Sequence, residues 1–142
     1  MRPTERKGER GTQVAELAII LPLMFFLVLL VTEGAGMVRT HQILNNAARE
    51  GARLSAMPEN AGSTDDIKLA VVNYAAQNGV TITSGDVTIE QNVFIPTSSG
   101  VSIPASRVIV QHAYPLQYFR MPFFNLPTSL PLAGVAEFRN FY

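Results

Sequence analysis

The chain has 142 residues, no cysteine and a formal net charge of zero. The lack of cysteine excludes disulfides, thiolate metal ligands and cysteine nucleophiles, and the balanced charge gives no general reason to expect nucleic acid as a partner. The length suits one compact domain plus a membrane segment. Apolar residues make up 47% of the chain and are concentrated near the N-terminus.

A basic leader precedes the apolar segment. Residues 1–11 carry a net charge of +2, and sixteen uncharged residues lie between Glu16 and Glu33. Residues 12–38 would form a helix of about 40 Å, which crosses a bilayer if the two glutamates lie near opposite interfaces. The positive-inside rule then places the N-terminus in the cytoplasm and exports everything after Arg39.

The spacing of Gly11 and Glu16 resembles the processing motif of type IV prepilins, in which a peptidase cuts after the glycine. Cleavage would make Thr12 the new N-terminus and Glu16 its fifth residue. The new ammonium and the carboxylate could then neutralise each other in an apolar bundle, within one chain or between neighbours. Alternatively, Glu16 is solvated and only marks the cytoplasmic edge of the span.

The apolar helix is predicted to contain a kink and to continue beyond the membrane. Pro22 removes one helical hydrogen bond, so it either kinks the helix and thereby aids exit from the membrane, or is a tolerated bend. Residues 39–57 continue the helix and carry small residues four apart, which let another backbone approach closely. That backbone belongs either to a neighbouring subunit or to the chain's own domain. The small residues are Ala47, Ala48, Gly51 and Ala52.

Two segments in order, RGTQVAELAIILP and LNNAAREGARLSA, resemble the TadE-like family of tight-adherence (Tad, or Flp) pilus systems. Members begin with RG, four residues and a Glu, carry a proline about six residues later, and then an N-x-A-R-E-G-A-R stretch. The resemblance covers residues 10–57. The matching residues are Gly11, Glu16, Pro22, Asn46, Ala48, Arg49, Glu50, Gly51, Ala52 and Arg53.

The resemblance implies a pilin-like subunit, a minor pilin or pseudopilin, rather than an enzyme. Its implied partners are a prepilin peptidase, other pilin-like subunits, and an inner-membrane assembly platform with a cytoplasmic ATPase. It implies no cofactor and no metal. It also implies a single-pass protein of the bacterial inner membrane whose C-terminal domain is exported and is either retained there or incorporated into a surface pilus.

Residues 58–142 are predicted to form an exported α+β domain. Ser63 or Thr64 is a suitable N-cap for a second helix, which ends at Gly79. The predicted strands are residues 87–95, 106–114 and 134–142, which are rich in β-forming residues and would make a small antiparallel sheet. The four prolines of residues 115–132 predict irregular structure there. Long helix, short helix and sheet together match the architecture of pilin-like domains.

Few side chains suggest a catalytic, metal-binding or phosphate-binding site. His41 and His112 have no carboxylate at metal-ligand spacing, and no nucleophile elbow or phosphate-binding glycine loop occurs. The apolar residues of 119–126 either fold back on the core or form a docking patch for a partner. They are Phe119, Met121, Phe123, Phe124 and Leu126.

Three interpretations remain open from the sequence. The first is a pilin-like assembly subunit divided into a leader (1–11), a transmembrane helix (12–38), a helical extension (39–57) and an exported domain (58–142). The second is a soluble domain released by a signal peptidase near Gly34–Gly36. The third is a membrane-tethered binding or enzymatic domain that never joins a filament, which predicts a ligand pocket in the exported part.

Overall fold

The computed structural model describes residues 6–96, 100–118 and 127–141, with side chains described from Gly11 onward. It contains two α-helices, two short 3₁₀ turns and one antiparallel sheet, which confirms the predicted α+β fold. The helices are α1 (Arg6–Ser55) and α2 (Thr64–Gln77), the 3₁₀ turns are Pro58–Asn60 and Ser84–Asp86, and the strands are β1 (Val87–Pro96), β2 (Ser102–Pro115) and β3 (Ser129–Arg139).

Helix α1 has 50 residues and is the longest element. The sequence predicts a start near Gln13, but the helix begins at Arg6 and so includes part of the basic leader. The helix continues through Pro22 without a break. It ends at Ser55, shortly before Pro58, because a proline disfavours helical geometry in the residue that precedes it.

The two halves of α1 have different surroundings. Residues 11–32 are exposed along almost their whole length, and Ile19, for example, is 75% exposed. From Glu33 onward one side of the helix is covered by the rest of the chain, and Leu44 is fully buried. The C-terminal half of α1 is therefore a core element of the domain, whereas its N-terminal half has no cover within the described residues.

Helix α2 packs beside α1, and its existence and bounds agree with the prediction. Its buried face consists of Ile67, Val71 and Ala75, at the spacing expected for one side of a helix. Ser63 is the N-cap residue, but its side chain makes no capping hydrogen bond. After the helix, Gly79 has a φ of +85°, the left-handed geometry for which glycine is favoured.

The sheet has the order β1-β2-β3, with β2 in the centre. Its inner face supplies Val87, Val108 and Val110 to the core. Between Glu90 and Val93 the register of β1 against β2 shifts, and Asn92 adopts a φ of 67° there. Both features indicate a β-bulge, which bends the strand and increases its twist.

The third strand differs from its prediction at both ends. It begins at Ser129 rather than 134, although residues 129–132 were expected to be irregular, and it ends at Arg139 rather than 142. Pro131 is tolerated because β3 lies at the edge of the sheet, where alternate N–H groups face away from the neighbouring strand. The Asn140 N–H still donates to the Pro104 carbonyl oxygen of β2 at 3.0 Å, but the Phe141 N–H donates to the Ala56 carbonyl oxygen after α1, so the chain leaves the sheet there.

Strand β3 and α1 approach each other at the backbone level. A Cβ at Gly134 would collide with the carbonyl group of Leu44 and would lie 2.6 Å from the amide nitrogen of Asn45. The Val135 N–H donates to Asn45 Oδ1 at 3.4 Å. A glycine in the strand thus permits the contact, and a helix side chain accepts one hydrogen bond from the strand.

A small polar cluster fixes the C-terminal residues to the end of α1. Ser106 Oγ donates to Asn140 Oδ1 at 2.7 Å and lies 3.3 Å from the Ser55 carbonyl oxygen, and all three residues are buried. The Phe141 N–H donates to the Ala56 carbonyl oxygen at 3.1 Å. The last residues of the chain therefore complete the packing at the end of α1 farthest from the exposed apolar segment.

Candidate membrane anchor and processing site

The uncovered half of α1 has the dimensions of a membrane span. Among the described residues α1 is the one helix that is long and apolar enough to cross a membrane, and its most apolar part is unburied. Residues 11–32 measure about 33 Å at a rise of about 1.5 Å per residue. The hydrocarbon core of a bilayer is about 30 Å thick, so this stretch fits a single-pass anchor.

The predicted processing residues lie on the exposed part of this helix. Gly11, Thr12 and Glu16 are all exposed, and a Cβ at Gly11 would meet no atom within 4 Å. Thr12 and Glu16 are four residues apart on a continuous helix, so they lie on the same face. The structure thus places the N-terminus that cleavage would create one helical turn from the Glu16 carboxylate.

The four small residues proposed for helix packing lie inside the domain. Ala47, Ala48, Gly51 and Ala52 are buried by the chain's own strands and by α2. A Cβ at Gly51 would lie 2.6 Å from Val71 Cγ2. Another backbone element does approach these small residues closely, as their spacing predicted. That element belongs to the same chain and not to a neighbouring subunit.

The charged residues of the N-x-A-R-E-G-A-R stretch lie on the opposite, solvent-facing side. Arg53 donates to Glu50 through Nη2 at 2.7 Å and through Nε at 3.0 Å. These hydrogen bonds lower the pKa of Glu50 below its ordinary value of 4.5 and raise the pKa of Arg53. Because both side chains are largely exposed to solvent, the pair adds little to stability.

Glu33 stands where the exposed part of α1 meets the domain. Its side chain is only 4% exposed. The Tyr118 N–H donates to Glu33 Oε2 at 2.9 Å, and the Gln117 N–H lies 3.1 Å and 3.3 Å from the two carboxylate oxygens. Glu33 forms none of the ion pairs found in the described ranges, so these N–H groups stabilise its charge without a cation.

Tyr114 completes this junction. Its side chain is buried, and this burial, assisted by the Glu33 carboxylate near its hydroxyl, raises the pKa of Tyr114. The same hydroxyl occupies the space that a Cβ at Gly36 would take. The junction between the anchor and the domain is therefore formed by one helix carboxylate, one helix glycine and the end of β2 with the residues that follow it.

Sequence reasoning recognised Glu33 only as a boundary marker and read Gly34–Gly36 as a possible peptidase site. The amides that bind Glu33 come from residues more than eighty positions later in the chain. A carboxylate next to an apolar run was the available signal, but nothing in the sequence identified its partners. The apolar segment that includes Phe119 and Met121 was proposed as a docking patch or a core cover, and it lies outside the described residues.

The two histidines are separated. Asn45 Nδ2 lies 3.0 Å from His41 Nε2 on α1, whereas His112 is on β2 near Asp86. Among residues 11–96, 100–118 and 127–141, no three acidic, histidine or cysteine side chains are grouped so that they could hold a metal ion.

Comparison with protein families gives one match. The model described as "TadE-like protein" matches residues 11–53, which confirms the resemblance carried by the RG and N-x-A-R-E-G-A-R segments. No curated protein and no solved structure matches the chain. The match begins at the predicted processing glycine, includes the whole exposed apolar stretch, and ends within the covered half of α1.

Proposed function

We propose that this chain is a pilin-like assembly subunit, a minor pilin or pseudopilin, of a Tad-type pilus. The observation that carries the proposal is the family match over residues 11–53, on a helix whose first half is apolar and uncovered and whose second half is the core of a folded domain. The helix holds the subunit in the inner membrane with its N-terminus in the cytoplasm, and the α+β domain is exported.

A prepilin peptidase removes the leader by cutting after Gly11. In the structure this bond lies within α1. A glycine in a helix costs about 1 kcal/mol relative to alanine, so this turn opens more easily for a peptidase than its neighbours. The Thr12 ammonium then pairs with Glu16 across one helical turn, or with Glu16 of a neighbouring subunit.

The subunit associates with other pilin-like subunits and with the membrane platform. The buried alanines and Gly51 are occupied within the chain, so the surface offered to neighbours is the exposed apolar part of α1, residues 11–32. In a membrane or filament core this surface packs against the same part of other subunits. Pro22 lies on it, and the local freedom that a proline gives eases its transfer from lipid to neighbours.

The alternative of a soluble domain released near Gly36 fits this geometry less well. Cleavage there would remove Glu33, the acceptor for the N–H groups of Gln117 and Tyr118. It would also discard most of the segment that the family model matches. The alternative of a membrane-tethered domain outside any filament predicts no assembly with pilin-like subunits, whereas our proposal predicts that assembly.

The decisive experiment is the N-terminal sequence and intact mass of the protein isolated from its native host. We expect a chain that begins at Thr12. A chain that begins near Met37 would identify the soluble domain, and an uncleaved chain would identify a plain membrane anchor.

Gly11→Arg tests the assignment of the cleavage site. We expect the variant to keep its leader, because the peptidase recognises the glycine, while Gly8→Arg, which adds the same charge three residues upstream, is processed. Immunoblots of membranes distinguish the two forms by size. Normal processing of Gly11→Arg would contradict the assignment.

Glu16→Ala tests the role of the carboxylate. We expect normal insertion and processing but a large loss of pili, because the new ammonium lacks its partner in an apolar environment. Fractionation measures insertion and electron microscopy counts pili. Unchanged piliation would show that Glu16 is only a solvated boundary residue.

A further inference from the structure

We propose that the exported domain rests on the outer surface of the membrane through a lipid-headgroup contact formed by Arg39, Gln117 and Tyr118, which Glu33 holds in place. This membrane-contact surface rests on the proposed anchoring by α1. Its partner is the phospholipid headgroup layer, with phosphate as the group bound by Arg39.

The position of the surface follows from the end of the free helix. Cover by the domain begins at Glu33, immediately after the stretch that fits the hydrocarbon core. Headgroups occupy about 5–7 Å on each side of that core. The Tyr118 amide, 2.9 Å from the Glu33 carboxylate, therefore lies at the depth of the headgroups.

Tyr118 has the chemistry that this depth favours. Its side chain is 44% exposed, although its backbone is held by a buried carboxylate. Tyrosine and tryptophan are enriched at membrane–water interfaces because the ring is apolar and the polar atom reaches water and headgroups. The bonds to Glu33 keep this residue beside the helix instead of letting the loop move into solvent.

Arg39 supplies the positive charge of the membrane-contact surface. It is exposed and borders, with Gln117 and Asn78, a hollow beside the end of β2. It lies six residues after Glu33, about 9 Å along the helix. Side chains of a helix lean toward its N-terminus, which here is the membrane end, and a long arginine can reach the headgroups from this height. Its guanidinium binds phosphate through paired hydrogen bonds.

Fluorescence quenching tests the contact in the complete chain. The protein has no tryptophan, so each of Phe25→Trp, Tyr118→Trp and Phe141→Trp gives a single reporter at a known place. All three positions are exposed, and Phe141 is bonded to Ala56 near the far end of the domain. The probes are vesicles of phosphatidylcholine and phosphatidylglycerol brominated either close to the headgroup or near the end of the acyl chain.

We expect Trp fluorescence at position 118 to be quenched most by the shallow bromines, at position 25 by the deep bromines, and at position 141 by neither. Quenching at 25 but not at 118 would overturn the membrane contact and leave the anchor intact. Absence of quenching at 25 would overturn the anchor itself, and the contact with it.

The charge is tested in the Tyr118→Trp background. We expect quenching at position 118 to increase with the fraction of phosphatidylglycerol at low salt, and Arg39→Gln to remove this dependence. Arg49→Gln makes the same change about 15 Å further along the helix and should leave the dependence unaltered. An equal effect of both variants, or of neither, would contradict a specific role for Arg39.

The positioning role of Glu33 has a separate readout. We expect Glu33→Gln to decrease quenching at position 118 at least twofold while quenching at position 25 stays the same, because the loop loses a charged acceptor but the anchor is unchanged. Circular dichroism checks that the variant is folded. Should Glu33→Gln fold and quench like the parent, Glu33 would not position the contact.

Discussion

Asp86 is an exposed carboxylate that fixes the turn immediately before the first strand of the sheet. Its Oδ2 accepts hydrogen bonds from the backbone N–H and the hydroxyl of Thr83, each at 2.8 Å, immediately before β1 begins. These hydrogen bonds, the backbone one foremost, lower the pKa of Asp86 below its ordinary value of 3.8. The residue therefore stabilises the fold more when it is ionised than when it is protonated.

We expect Asp86→Asn to decrease the free energy of unfolding by about 1 kcal/mol at neutral pH, because the amide oxygen can still accept both hydrogen bonds but lacks the charge that strengthens them. Because the pKa is lowered in the folded state, the contribution is complete above the unfolded pKa and is lost as the pH falls through the folded one. The parent and the variant should thus converge in strongly acidic solution. Denaturant titrations at several pH values in one detergent would show this, and a constant difference would contradict it.

Asn140 is the matching case in the interior. It is buried and accepts from Ser106 Oγ, which is fully buried. Removing it leaves a buried hydroxyl with one distant acceptor, so we expect Asn140→Ala to destabilise the domain by about 1–3 kcal/mol. Asn73→Ala, the same change at an exposed position of α2, should alter stability by no more than about 0.5 kcal/mol. Urea unfolding of both variants provides the comparison.

At the scale of elements, α1 and β3 approach each other at the backbone level, with Gly134 against Leu44 and Asn45. Gly134 permits it, because any side chain there would meet the backbone of Leu44. A helix and a strand that touch through their backbones cannot absorb a methyl group by moving a side chain. The two elements must separate, and the packing of the neighbouring residues separates with them.

We expect Gly134→Ala to destabilise the domain by about 1–3 kcal/mol or more, measured as a lowered midpoint of urea unfolding. Gly85→Ala is the matched control, since its Cβ would approach no atom closer than 3.6 Å. It should unfold like the parent. Equal stability of the two variants would show that α1 and β3 are less tightly fixed than the structure indicates.

At the scale of the whole molecule, the local elements could be predicted and their relations could not. The apolar run, the face of α2 formed by Ile67 and Val71, and the branched residues of β1 determine their own structure by periodicity. The start of β3 was missed because Pro131 is acceptable only at a sheet edge, and strand order is not visible in sequence.

The candidate site divides in the same way. Gly11 and Glu16 could be proposed from the sequence because their relation is a spacing along one helix, and their roles stay predictions. The interaction of Glu33 with Gln117 and Tyr118 was missed because it exists only after folding has brought distant residues together. A carboxylate at the edge of an apolar run has the same local sequence whether water or a buried amide is its partner.

The central position of α1 has a consequence for the order of events during biogenesis. The helix is synthesised first, but β3 packs along it, and Asn140 and Phe141 complete the end of its core. Contacts between residues so far apart in sequence form slowly, because a large loop must close before they do. If the domain is exported as we propose, the side of α1 that β3 covers stays exposed until the C-terminal residues have crossed the membrane. A chaperone or an early partner that binds this side of the helix would act only within that interval.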